Sequence, residues 1–302
     1  MFAFQFAKLM IKKSFSYIGI FFLNILSLLP LSLLYPIAAL GYYLVYYIFP
    51  YRKQVVRENL VNSFPEKSQA EIIRLEKKFF RYLCDLIVEI LKMASISKSE
   101  LQRRVKFTNL DQVERYFSEG KSVLACTGHY GNWELCMLAL GTYLSAPEYV
   151  IYKPLNNEIF GNWFYKIRTR FGNRFISMRQ TLRSIASTRN EATMFCFAGD
   201  QTPVGSEAHY WINFMNQPTP VLLGLEKIAM QTNRPVFYFS TRIIKRGYYE
   251  VDCIPLCLDP KSTQEYQITN MQFAFLENIL KKEPAYWLWS HRRWKHKPEN
   301  AG

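Results

Sequence analysis

The chain has 302 residues, a formal net charge of +14, and 49% hydrophobic and 16% aromatic side chains. That length can bury a large core, as one big α/β domain or two smaller ones, and the basic excess attracts polyanions: anionic lipid headgroups, an acidic protein or nucleic acid. No zinc-finger, RRM or helix-turn-helix signature supports nucleic acid, and the six cysteines contain no C-x-x-C pair, so they read as buried small hydrophobes in a reducing compartment rather than zinc ligands.

From Ser14 to Tyr51 the chain carries no charged residue over 38 positions. Pro30 and Pro36 divide the run into two short apolar segments. Lys8, Lys12 and Lys13 precede it, and Arg52, Lys53 and Arg57 follow. Cytoplasmic flanks of membrane segments are rich in Lys and Arg. Basic flanks on both sides therefore predict a re-entrant or monotopic hairpin with both ends on the cytoplasmic side. A single tilted span is the alternative. A cleaved signal peptide fits less well, because the apolar run continues past any small-residue cleavage point.

Ser68 and Glu71 form a capping-box pattern, and Ile72, Leu75, Phe79, Leu83, Leu86 and Ile90 recur at helical spacing, which predicts a helix over 68–93. After about residue 104, strand-like and helix-like segments alternate. Strands are predicted at 122–127, 148–152, 174–177, 193–198, 235–242 and 248–254. Helices are predicted at 133–144, 158–170, 180–188, 220–231 and 266–282, with Thr219-Pro220 as a helix start. The alternation implies an α/β sheet with helices on its faces.

The run Thr127-Gly128-His129-Tyr130-Gly131-Asn132-Trp133-Glu134 follows the first of these strands. Gly128 and Gly131 permit a sharp turn, and Asn132 can cap the helix that continues into Leu135. Positions five apart on one helix do not face each other. His129 is thus placed before the helix and Glu134 just inside it, at a strand's carboxyl end, where open α/β sheets keep their sites. A carboxylate on one ring nitrogen makes the other a general base, and Glu134 is expected to supply it.

Three further patterns end strands with polar groups. Tyr152-Lys153-Pro154 and Gly172-Asn173-Arg174-Phe175-Ile176-Ser177-Met178-Arg179 bring Lys153 and Arg179 to strand ends, with Arg168 and Arg170 between them. Arginine forks bind phosphate, and lysine supplies a point charge. Phe195-Cys196-Phe197-Ala198 runs into Gly199-Asp200-Gln201-Thr202. The chain closes with Trp287-Leu288-Trp289-Ser290-His291-Arg292-Arg293-Trp294-Lys295, which suits either an anionic membrane surface or a docked segment followed by a solvated tail.

Taken together, these residues resemble the lysophospholipid-acyltransferase-like superfamily, and within it the bacterial late acyltransferases of lipid A biosynthesis. His129-x4-Glu134 is similar to the family's H-x4-D/E catalytic motif, the stretch 152–179 to its second block, Gly199-Asp200-Gln201 to its third, and Trp289 to Lys295 to its C-terminal signature. Lys153 stands where the family usually has Arg, and Gly199 where it usually has Pro. The resemblance implies an α/β fold, a mixed sheet flanked by helices behind an N-terminal hydrophobic anchor at 1–51. An acyltransferase domain at 52–302 would hold a helical lead-in (52–104), a core (105–258) and a C-terminal helix with a basic aromatic tail (259–302). It further implies catalysis by His129 and Glu134 and substrate binding by Lys153, Arg170, Arg179 and Asp200, with neither metal nor cofactor. The donor would be acyl carrier protein or acyl-CoA, and the acceptor a lipid A precursor at the cytoplasmic face of a bacterial inner membrane. Nucleic acid is not among the expected partners. Another membrane lipid as acceptor, of the phosphatidylinositol mannoside or aminolipid type, and a non-catalytic membrane-binding protein of the same fold are the alternatives.

Overall fold

The computed structural model describes residues 2–205 and 209–298, with side chains from Ser14 onward. The basic flank Lys8, Lys12 and Lys13 lies outside the residues whose side chains are described. The chain opens with helices α1 (Phe2–Leu28) and α2 (Leu31–Tyr43), the latter running into a π-helical turn at Leu44–Ile48. They are separated at Leu29 and Pro30, while Pro36 is absorbed inside α2. Pro30 caps the start of α2, where its missing N–H costs nothing, while Pro36 within the helix leaves the Ser32 carbonyl without its usual donor. Leu31, Leu34, Ala38 and Tyr42 are buried, whereas Leu33, Ile37, Leu40 and Tyr43 on the other side are exposed. Residues Leu31–Ile48 are long and apolar enough to cross a membrane. On α1, Phe15, Ile18, Phe21, Phe22 and Ile25 are likewise exposed.

Helix α3 (Lys53–Ser63) leads to α4 (Gln69–Lys92). The capping box of α4 forms as its sequence requires: the Ser68 hydroxyl accepts from the Glu71 amide, and the Glu71 carboxylate accepts from the Ser68 amide at 2.9 Å. Its apolar stripe, including Ile72, Phe79, Leu83 and Leu86, is buried. Helix α4 is the platform on which α2 lies.

Beyond α5 (Lys98–Arg104) come β1 (Val105–Thr108), α6 (Asp111–Ser118), β2 (Val123–Thr127), α7 (Trp133–Leu140), β3 (Glu148–Tyr152), α8 (Glu158–Arg168), β4 (Arg174–Ser177), α9 (Thr181–Ser187) and β5 (Met194–Ala198). After a hairpin, α10 (Gly224–Thr232), β8 (Val236–Lys245), β9 (Tyr248–Cys257) and α11 (Gln267–Lys282) complete the domain. Among the described residues these strands form a seven-stranded sheet in the order β1-β9-β8-β2-β5-β3-β4. Strands β8, β2, β5, β3 and β4 are parallel, and β9 pairs antiparallel with β8, so the sheet is mixed. All five residues of β2 are buried. Leu124 and Cys126 face the core shared with α2, α4 and α11, and Val123 and Ala125 face the core shared with α7. This period-2 division explains the continuous apolar run: a strand covered on both faces has no side left for polar residues.

The expected helix over 220–231 is corrected at its start. Residues 217–221 form a strand, β7 (Gln217–Val221), in a two-stranded hairpin with β6 (Tyr210–Phe214), and the helix begins at Gly224. Met215 and Asn216 at the turn have φ of 52° and 59°, the pair of positive values that a two-residue type I′ hairpin requires. Pro218 and Pro220 survive in β7 because a two-stranded ribbon has a free edge. The C-terminal segment is docked rather than presented to lipid: Trp287, Trp289 and Trp294 are all buried. Trp289 donates to the Pro284 carbonyl and Trp294 to the Thr219 hydroxyl.

Candidate active site

Strand β2 ends at Thr127 and β5 at Ala198, and these two residues are paired in the parallel ladder. Two residues further on each strand stand His129 and Asp200. The imidazole Nδ1 lies 2.6 Å from Asp200 Oδ1. The other carboxylate oxygen accepts the backbone N–H of His129 at 2.9 Å and the indole N–H of Trp287 at 2.7 Å. With donors on both oxygens, Asp200 acts as an ionised acceptor, which assigns the Nδ1 proton to the histidine. The Nε2 lone pair is then free to accept, and the Gln201 side-chain amide lies 3.1 Å from it. The ring of His129 meets Trp133 edge-on at 5.0 Å. His129 keeps 15% of its side chain exposed while Asp200 keeps 2%, so the imidazole is partly open to solvent and the carboxylate is sealed.

Burial alone would push the Asp200 carboxyl up, but the charge of His129 and the hydrogen bonds from His129 and Trp287 hold it down to about 2. Burial likewise opposes the imidazolium, yet Asp200, with help from Glu134, raises His129 above its ordinary value. Each partner stabilises the charged form of the other.

The turn carrying His129 has no room to spare. A Cβ on Gly128 would lie 2.8 Å from Leu276 on α11 and 3.5 Å from Asp200 Oδ2. Gly131 has φ of +59°, and a Cβ there would lie 2.7 Å from Thr241. Asn132 then caps α7 by accepting the Leu135 amide at 2.9 Å. The His129 amide is taken by Asp200 and the Gly131 amide by the Tyr286 carbonyl. Those two backbone donors are therefore committed to holding the turn and not to an oxyanion.

Glu134 does not meet His129. It forms a two-point ion pair with Arg168 at the end of α8, through Nε at 2.7 Å and through Nη2, and also accepts from the Trp133 indole at 3.2 Å. The Arg168 guanidinium is sandwiched among aromatic rings, 4.0 Å from the centroid of Phe164 and 5.1 Å from that of Phe175. The carboxylate that orients the imidazole is thus Asp200, a correction to the expected pairing with Glu134. Arg170, expected on substrate phosphate, is exposed and donates one guanidinium N–H to the Met93 carbonyl beyond α4. Lys153 and Arg179 are both exposed just beyond the ends of β3 and β4, on the same edge as His129 and Asp200. At about 4.8 Å per strand, β4 stands roughly 14 Å from β2 along that edge.

Three contributors were not singled out from sequence. Trp287 reaches Asp200 from the C-terminal segment. Gln201 meets the base. His291 accepts the Thr202 amide at 3.1 Å and so pins the loop after Asp200. Burial first, and the charges of His129, Arg293 and Lys295 next, push His291 down to about 4 despite Asp200, so it holds that loop as a neutral acceptor. Burial pushes the Cys136 thiol up to about 12 and Cys126 higher still, which leaves neither as a thiolate nucleophile. Among the described residues no group of three His, Cys, Asp or Glu side chains could hold a metal ion.

The site is thus a carboxylate-backed histidine at the carboxyl edge of a mixed α/β sheet, in a chain whose N-terminal helices expose apolar side chains. Residues 1–296 match the family described as bacterial lipid A biosynthesis acyltransferase, and the chain belongs to that family. It is 24% identical over 277 residues to a lipid A biosynthesis acyltransferase of Haemophilus influenzae, covering 90% of this chain and 85% of that protein. It is 25% identical over 256 residues to a lipid A biosynthesis palmitoleoyltransferase of Escherichia coli K12, covering 82% and 80%. Its similarity to a Shigella flexneri lipid A biosynthesis acyltransferase has the same extent. The chain is accordingly an enzyme of acyl transfer in lipid A biosynthesis.

Proposed function

We propose that this enzyme moves a fatty acyl chain from acyl carrier protein to a hydroxyl of a lipid A precursor at the cytoplasmic face of the inner membrane. The observation that carries this reading is the His129–Asp200 couple, in which Asp200 accepts the Nδ1 N–H and leaves Nε2 as the acceptor of a partly exposed ring. Nε2 removes the proton of the acceptor hydroxyl, and the hydroxyl oxygen attacks the thioester carbonyl. The tetrahedral intermediate collapses with cleavage of the C–S bond, and the imidazolium returns its proton to the departing thiolate. Asp200 fixes the tautomer and stabilises the imidazolium. The acceptor hydroxyl displaces the Gln201 amide from Nε2, which leaves that N–H beside the reacting carbonyl as an oxyanion donor. The Glu134–Arg168 pair supports the rim of the site, and Lys153 and Arg179 bind acceptor phosphate. The net charge of +14 favours an acidic carrier as donor.

The apolar N-terminal helices supply the membrane attachment. The inner face of α2 rests on α4, which carries Arg81, Asp85 and Glu89 along that contact, and Arg81 lies over the Tyr42 ring at 5.0 Å. Crossing the bilayer would carry those charges with it, at about 2.5–3.5 kcal/mol for each Arg or Asp near the centre. An in-plane hairpin with both ends cytoplasmic avoids this cost. Cysteine probes near Gln5 and Gln54, in an otherwise cysteine-free chain, should both label from the cytoplasm; labelling near Gln5 only from outside would establish a span.

The activity is tested by mass spectrometry of a lipid A precursor incubated with purified enzyme and either acyl carrier protein or CoA thioester. One added acyl chain, lost in His129→Ala and falling steeply with salt only for the carrier donor, supports the reading. Absence of product with both donors, from folded enzyme in mixed micelles, would overturn it.

A further inference from the structure

Glu89 is a carboxylate in the interior of the protein, 1% exposed, on α4. Among the described residues no cation forms a salt bridge with it; its partners are three neutral donors. Its Oε1 accepts the hydroxyl of Tyr35 at 3.0 Å. Its Oε2 accepts the side-chain amide of Asn132 at 2.9 Å and the hydroxyl of Tyr249 at 2.6 Å. The four residues lie on α2, α4, the turn before α7, and β9. A buried carboxyl group, pushed above its usual range by burial and hydrogen-bonded only to neutral donors, is a costly way to join elements that apolar side chains could also join. What it adds is direction: each hydrogen bond fixes one donor at one angle.

The direction matters most at Asn132, which is fully buried. Its amide is shared between two tasks. The oxygen caps α7 through the Leu135 amide, and the nitrogen donates to Glu89. Because the amide is planar, rotation that loosens one bond loosens the other. Asn132 is three residues beyond His129 and two before Glu134, so its placement sets where both arise. At the opposite end of the cluster, Tyr35 belongs to the apolar helix α2. Its ring is held from the other side by the Arg246 guanidinium, 4.0 Å from the centroid.

We propose that Glu89 is a positioning residue for acyl transfer: it ties the turn that carries His129 to the seated anchor helix, through Asn132 on one side and Tyr35 on the other. Helix α2 then does more than hold the enzyme at a membrane. Its seating on α4 is part of what sets the geometry of the base. Displacements of about 1 Å in a reacting group can cost on the order of 10²-fold in rate, so a tether of this kind acts on kcat.

Three variants separate this role from plain stability. Asn132→Ser keeps a hydroxyl to cap α7 but removes the donor to Glu89. Tyr35→Phe removes only the hydroxyl at the anchor end. Glu89→Gln keeps the shape but cannot accept from all three donors. With lipid A precursor and acyl-carrier-protein thioester, each should lower kcat by about three- to tenfold or more. KM for both substrates should stay near wild type, and so should the membrane-bound fraction. Tyr35→Phe should add nothing in a Glu89→Gln background, since both break one chain of contacts. Wild-type kcat in Asn132→Ser and Tyr35→Phe, per folded enzyme, would overturn the proposal even if both melt at lower temperature. These two variants leave Glu89 intact and decide the matter if Glu89→Gln does not fold. The inference rests on the acyl-transfer reading, but the two fail differently: that reading fails if wild type makes no product, this one if the variants make product at the wild-type rate.

Discussion

Replacing Asp200 with Asn isolates the electronic part of the site from its shape. The two side chains are nearly isosteric, and the surroundings dictate which way the amide turns. Oδ2 of Asp200 accepts two N–H groups, from the His129 backbone and the Trp287 indole, so the Asn carbonyl must take that place. The amide nitrogen is then directed at His129 Nδ1, where Oδ1 stood at 2.6 Å. Two donors cannot share that contact. The imidazole must accept at Nδ1 and carry its proton on Nε2, the atom that should be taking a proton from the acceptor. Holding a catalytic histidine in the wrong tautomer costs on the order of 10⁴-fold, and we expect kcat to fall by about 10³–10⁴, or roughly 4–5.5 kcal/mol in the barrier. The melting temperature should fall by the stabilisation of the lost charge pair alone, because every donor around position 200 keeps an acceptor or can be re-paired. Asp200→Ala is the contrasting variant: it strands two buried N–H groups at about 1–3 kcal/mol each and should lose stability as well as activity. Initial rates of labelled acyl transfer in mixed micelles, normalised to folded enzyme, measure the effect. Transfer by Asp200→Asn within about threefold of wild type would show that the tautomer held by Asp200 is not what drives the chemistry.

The same couple predicts opposite pH trends for activity and stability. Asp200 raises His129 above its ordinary value, so kcat/KM should climb with pH through an ionisation above about 6.5, and a limb at or below that value contradicts the pairing. The stabilisation contributed by the raised His129 is complete below its unfolded pKa and is lost as pH rises through the folded one; that from the depressed Asp200 is present above about 3.9 and lost as pH falls towards its folded value. The gap in Tm between wild type and His129→Gln should therefore be widest between about pH 4 and 6.5. Truncating either partner of the Glu134–Arg168 pair should cost about 3 kcal/mol or more in urea unfolding, by leaving a mostly buried charge unpaired, and the double Ala variant should lose less than the sum. Arg179→Ala should raise KM for the lipid with kcat unchanged, and Lys should restore the charge but not the fork; unchanged constants would leave it a surface charge. Deleting residues 1–28 should weaken membrane binding while the domain still folds, whereas deleting 1–51 should lower folded yield, because Leu31, Leu34, Ala38 and Tyr42 lie in the core; equal melting of the two truncations in detergent would contradict this.

The parts of the fold legible in the sequence are those whose pattern is local. The capping box at Ser68 and the stripe behind it give α4 within a residue or two at each end. The buried strands β2, β3, β4 and β5 are bounded by glycines and polar turns, and their expected limits hold to within one residue. What failed depended on pairing and packing partners outside the segment being read. Pro220 reads locally as a helix start, and only the pairing of β7 with β6 shows it to be a strand residue. The aromatic C-terminal run reads equally as a lipid-facing tail or a docked segment. Its burial is decided by surfaces at Pro284, Thr219 and Asp200, which the local pattern does not reveal.

The site divides in the same way, and its one misassigned partner shows why. His129 and Glu134 stand close in sequence, so proximity along the chain makes them look like a pair. The intervening turn changes direction at Gly131 and starts α7 at Trp133, which sends Glu134 toward α8 and Arg168. Asp200 is 71 residues away from His129, yet both stand two positions past paired residues of neighbouring parallel strands, Thr127 and Ala198. Parallel strands in register place equal offsets side by side. Knowing only that the strand before His129 and the strand before Asp200 are neighbours would have brought the two together, because each is followed by one glycine and then the functional residue. Sequence reading found both strands and both residues. The missing fact was the order of strands in the sheet, which is set by how the helices between them pack and not by any local pattern.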